Sequence, residues 1–176
     1  MNLKAEILKE YSKPHTMKMV RYIGNDQSRF DELVDALLKG DKKIAQRAAW
    51  IMTYSIEAHP SLMIPHLETL LENLRNPVHD AIKRGTIRSL EYIEIPEELM
   101  GLVADICFEF LDSPKESIAV RVFSMSALFK VCEKEPELSN ELKLVIEDYY
   151  PHGSAGFKSR AKKILKGISK LQKELE

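Results

Sequence analysis

Between short turn signals, apolar residues recur at intervals of three, four and seven, the spacing of one face of a helix. Leu67, Leu70, Leu71 and Leu74 make one stripe, and Leu99, Val103, Ile106 and Phe110 another. Leu138, Leu142, Val145 and Tyr149 make a third, and Phe157, Ala161, Ile164, Ile168 and Leu171 a fourth. No segment alternates with a period of two, so the pattern predicts about ten helices and no sheet. The expected helices are 2–12, 15–24, 27–39, 42–58, 61–75, 77–93, 97–112, 114–134, 137–149 and 154–174. The stripes place Leu70, Ile106, Leu128 and Val145 in the core. Turn residues mark the boundaries: Gly40-Asp41, His59-Pro60, Asn76-Pro77, Ile95-Pro96, Glu135-Pro136 and Pro151-His152-Gly153. Ser113-x-x-Glu116, with Pro114 at the first helical position, has the form of a capping box. Such short connections make neighbouring helices antiparallel.

Four segments resemble one another: AQRAAWIM, IKRGTIRS, AVRVFSMS and KSRAKKIL. Their arginines, Arg47, Arg84, Arg121 and Arg160, are 37, 37 and 39 residues apart. Each follows a turn, and the helices between them are led by Pro60, Pro96 and Pro136. This is a two-helix unit of about 37 residues, repeated three to four times. On these residues the chain resembles the HEAT-repeat class of α-solenoids, in the HEAT/armadillo group. The resemblance rests on Arg47-Ala48, Arg84-Gly85 and Arg160-Ala161, each after a turn, and on the Leu-rich segment PSLMIPHLETLLENL. Arg121-Val122 departs from the small-residue rule. The resemblance implies an all-α, right-handed superhelix of antiparallel helix pairs, with second helices lining a concave surface. The expected organisation is a single domain over 1–176. Residues 1–40 form N-terminal capping helices, and 41–174 form the repeats.

Composition narrows the function classes. Of 176 residues, 26 are Lys or Arg and 27 are Asp or Glu, a net charge of −1 that excludes a globally basic nucleic-acid binder. Two cysteines supply neither a disulfide scaffold nor a four-thiolate zinc site. The apolar runs are too short to span a membrane, and the first residues do not form a signal peptide. These features point to a cytoplasmic protein.

The chemistry-bearing residues do not converge. His15, His59, His66, His79 and His152 include no pair at i, i+4 and read as caps and turn residues. Cys107 and Cys132 lie among apolar neighbours and read as small core residues. Nucleophile-elbow, phosphate-loop and zinc-protease motifs are missing. Helical lyases of the fumarase type are similar in composition only, because their Ser- and Gly-bearing signature loop is lacking. DNA glycosylases of HEAT-like fold pair aromatic residues with a helix-borne Asp over a basic face. Here Tyr54, not an Asp, stands one turn after the single Trp50, which is expected to pack within the repeat core. The reading is therefore non-enzymatic, with no cofactor and no metal.

Charge is uneven along the chain. From Glu91 to Glu116 there are eight acids and one base, Lys115. The last helix is basic: Lys158, Arg160, Lys162, Lys163, Lys166 and Lys170 could form a patch for nucleic acid or anionic lipid, but a capping helix with a solvated outer face is the preferred reading. Opposite charges in two stretches also permit head-to-tail contact between copies. Opposite the core stripe of the helix after Pro96 stand Gly101, Ala104 and Phe108. The same side of the neighbouring second helices carries Glu68, Glu72, Lys143 and Glu147. The expectation is a scaffold that binds a protein partner on its concave face, anchored by an exposed Phe108. The alternative is a nucleic-acid-binding HEAT-like module.

Overall fold

The computed structural model describes residues 1–175, and among them every regular element is helical. The α-helices are α1 (Leu3–Lys9), α2 (Lys13–Ile23), α3 (Gln27–Lys39), α4 (Lys42–Ala58) and α5 (Leu67–Asn73). They continue with α6 (Asp80–Ser89), α7 (Glu97–Leu111), α8 (Ile118–Cys132), α9 (Ser139–Tyr149) and α10 (Ala155–Glu174). Side chains of Asn2, Ser12, Asp26, Asp41, His79, Ser117 and Ser154 accept backbone N–H groups at the starts of seven of them. These caps supply partners to amide groups that the helix itself leaves unpaired.

Several boundaries differ from the sequence reading, and three of the differences have a clear local reason. The segment expected as one helix over 61–75 begins as a 3₁₀ stretch, Pro60–His66, before α5. Pro65 lies inside it, and a proline there removes a backbone donor and clashes with the preceding turn. The expected helix 77–93 starts only at Asp80, because His79 caps it through Nδ1, 3.1 Å from the Ala81 amide, and it ends at Ser89. The capping box at Ser113 does not form. Ser117 is the cap of α8, accepting from the Val120 amide at 3.3 Å, and Ser113–Glu116 makes a turn before it.

The chain divides into two compact units, Met1–Glu94 and Ile95–Glu176. In the first, α4 is the central helix, packed by α1, α2, α3, α6 and the 3₁₀ stretch. Its buried side carries Ala45, Ala48, Ala49, Ile51, Met52, Thr53, Ser55 and Ile56. The small residues let α6 come close: a Cβ on Gly85 would stand 3.0 Å from Thr53 Oγ1 and 3.1 Å from the Ala49 carbonyl. In the second unit α8 is central, packed by α7, α9 and α10. Leu70, Ile106 and Leu128 are buried as expected. Val145 is only half-buried, at the edge of its stripe.

Candidate functional site

Three of the four recurring arginines bridge one helix to another. Arg47 on α4 donates from Nη1 to the carbonyls of Ile7 and Leu8, both at 3.0 Å, where α1 ends. Arg121 on α8 donates from Nε to the Leu111 carbonyl at 3.0 Å, where α7 ends. Both guanidinium groups therefore sit at the negative end of a helix dipole. Arg84 pairs instead with Asp80 at 2.7 Å on its own helix. Arg160 donates to the Ser126 hydroxyl.

Arg47 also orders a surface that sequence reasoning missed. Its guanidinium lies 5.2 Å from the centre of the Tyr11 ring. Tyr11 meets Trp50 edge-on at 5.2 Å, and Trp50 meets Tyr54 at 6.3 Å. Lys13 Nζ stands 5.7 Å from the Tyr54 ring. Trp50 is thus not a core residue: it and Tyr54 are half-buried on the outer side of α4, beside a 52% exposed Tyr11. The i, i+4 spacing of Trp50 and Tyr54 was legible in the sequence. Tyr11 lies 39 residues away from Trp50 and joins them only through the fold.

The residues expected to anchor a partner fall as follows. Glu68 and Glu72 are exposed on α5, where Glu72 pairs with Arg75 at 3.1 Å. On α7, Gly101 is exposed and Phe108 half-buried, but Ala104 is buried at 9% exposure. The expectation that all three form an exposed spot is corrected at Ala104, which lies on the core margin, and at Phe108, whose ring is half-buried rather than exposed; of the three, Gly101 is exposed. The outer side of α7 carries Glu98, Asp105 and Glu109, with Asp112 at its C-terminal cap, all exposed. On α9, Lys143 and Glu147 form an ion pair at 4.0 Å.

The basic helix α10 holds its patch only in part. Lys162, Lys163, Lys166 and Lys170 are exposed, and Lys170 pairs with Glu174 at 3.7 Å. Lys158 and Arg160 are half-buried. Lys158 stands 5.8 Å from the Tyr150 ring. A groove of about 420 Å³ beside it is lined by Glu147, Tyr150, Pro151, Lys162 and Leu165.

Both thiols are poor nucleophiles. Burial pushes Cys107 up to about 12 and Cys132 up to about 11, with Ser124 and Ser139 hydroxyls beside them. Among the described residues no group of three or more His, Cys, Asp or Glu side chains is placed to hold a metal ion. None of the described helices is long and apolar enough to cross a membrane.

Repeated helix pairs, short turns and arginines that tie one helix to the end of another define a helical-repeat protein. Residues 3–168 match the HEAT repeat domain, so the chain belongs to the HEAT repeat family, a family of α-solenoids. No curated protein and no solved structure matches the chain. A HEAT repeat domain is a helical scaffold of a kind that commonly mediates protein interaction.

Proposed function

We propose that this chain is a non-enzymatic protein-interaction scaffold whose main contact surface is the aromatic face of α4. The observation that carries the reading is the row Tyr11, Trp50 and Tyr54, fixed by Arg47. Trp, Tyr and Arg are the residue types that dominate interface energetics, because large rigid groups gain contact area at small entropic cost. Here they are already ordered against one another before any partner arrives, which lowers the cost of binding. Arg47 is held by two carbonyls and keeps Tyr11 standing beside Trp50. This shifts the main contact away from Gly101, Ala104 and Phe108, since buried Ala104 offers little to a partner.

The protein carries its own reporter, since Trp50 is the single tryptophan. Affinity capture from the native organism, with wild type and Trp50→Ala compared quantitatively, identifies partners that depend on this face. Adding a purified partner shifts the Trp50 emission of wild type, and Tyr54→Ala or Tyr11→Ala weakens binding by about 2 kcal/mol or more, as anchors do. Unchanged emission on saturation, or equal capture by Trp50→Ala, refutes the reading.

A further inference from the structure

Two surfaces of the second unit complement one another and cannot meet within one copy's own helices. Along the outer side of α10 stand Lys162, Lys163, Lys166, Lys170 and Lys173, all exposed, and the first acid of that helix is Glu174. Beside this row lies the groove of about 420 Å³, floored by Tyr150, Pro151 and Leu165. Leu144, on the neighbouring α9, is 67% exposed. A nucleic acid would use the lysines, but the Glu147 carboxylate at the edge of the groove would repel its phosphates. An acidic helix carrying one aromatic residue would use both the lysines and the groove.

The chain contains such a helix. Between Arg88 and Lys115 there is no Lys or Arg, and the outer side of α7 presents Glu98 and Glu109 to solvent, with Asp112 exposed at its C-terminal cap. Phe108 stands half-buried along that acidic row, and Gly101, two turns earlier on a similar side of the helix, is exposed. Both α7 and α10 pack on α8, and both outer faces are turned away from it.

We infer that a second copy of this chain docks the acidic face of its α7 along the lysine face of α10. The Phe108 ring of one copy then enters the groove between Tyr150, Pro151 and Leu165 of the other. The two patches differ, so the contact is heterologous, does not close on itself, and adds copies in a row. Opposite charges on long solvated side chains make it a salt-sensitive association. It is independent of the aromatic face of α4, and the two ideas fail separately.

Sedimentation velocity on the full chain tests this. At low ionic strength the average mass rises with concentration. At about 1 M salt, where the Debye length falls to about 3 Å, the chain is monomeric. Phe108→Ala raises the dissociation constant about tenfold or more. The double variants Lys162→Glu/Lys166→Glu and Glu98→Lys/Glu109→Lys each remain monomeric alone. Mixed together they associate again, because the acidic α7 of the first meets the intact α10 of the second. These four positions are exposed, so folding does not depend on them even if Phe108→Ala fails to fold. Trp50→Ala associates like wild type. A chain that is monomeric at every concentration at low salt overturns the inference. So does association that survives both double variants or high salt, and so does a monomer whose lysine face binds an oligonucleotide instead.

Discussion

Gly167 on α10 faces the ring of Phe129 on α8 so closely that a Cβ there would stand 2.5 Å from Cζ. The two helices approach at that point because one of them has no side chain. Gly101 on α7 is the opposite case, with nothing within 4 Å. The same substitution therefore has opposite signs at the two positions. Gly167→Ala forces the Phe129 ring to move and is expected to destabilise by about 1–3 kcal/mol, the usual range for overpacking. Gly101→Ala gains helix propensity and is expected to stabilise by about 0.5–1 kcal/mol. Urea midpoints at unchanged slope measure both, and equal signs would contradict the packing described.

Arg121 ties α7 to α8 by its bond to the Leu111 carbonyl, and its guanidinium lies 4.2 Å from the Tyr149 ring and 5.1 Å from Phe157. Arg121→Ala removes a charged hydrogen bond and two ring contacts, and is expected to cost about 2–3 kcal/mol. Arg84→Ala loses an exposed ion pair and is expected to cost less than about 1 kcal/mol. Thermal melts of the two variants distinguish a repeated residue that bridges helices from one that does not.

Leu70 and Leu128 are fully buried, whereas Val145 is half-buried. Leu70→Ala and Leu128→Ala are each expected to cost about 2–5 kcal/mol. Val145→Ala is expected to cost clearly less. A denaturant series on the three variants checks the order, and a Val145 loss as large as the leucines would place it in the core after all.

The two thiols give stability an alkaline limit. In the folded chain Cys107 ionises near 12 and Cys132 near 11, against 9.0 for an unperturbed thiol. An acid whose folded value is raised leaves stability unaffected below the unfolded value. Above it, the unfolded chain releases the proton while the folded chain keeps it. Stability is therefore expected to fall as pH rises above 9, with a slope approaching about 1.4 kcal/mol per pH unit for each thiol. Cys107→Ala should flatten part of that slope. At pH 8 a thiol reagent should label neither cysteine in the native protein and both in urea; rapid native labelling would show that the thiols are accessible.

The sequence by itself determined that the chain is helical, where most helices lie, and that two-helix units repeat. Those are short-range matters: apolar spacing, Ser and Asp caps and prolines act within a turn or two of the backbone. Local chemistry decided two starts: Pro65 held the segment before α5 in a 3₁₀ stretch, and Ser117 rather than Ser113 supplied the cap of α8. Tertiary structure alone decided the sides of helices at their margins. Ala104 lies at the edge of the α7 stripe, where a small change in the angle of approach separates core from surface, and packing turned it inward. Trp50 has the size of a core residue, yet the buried side of α4 includes three alanines that let neighbouring helices come close, and the indole is left half-buried at the margin. Its neighbour Tyr11 is brought there by Arg47, whose bonds to Ile7 and Leu8 span about forty residues of chain. No periodic pattern within one helix encodes a contact of that separation; it exists only once the helices have packed.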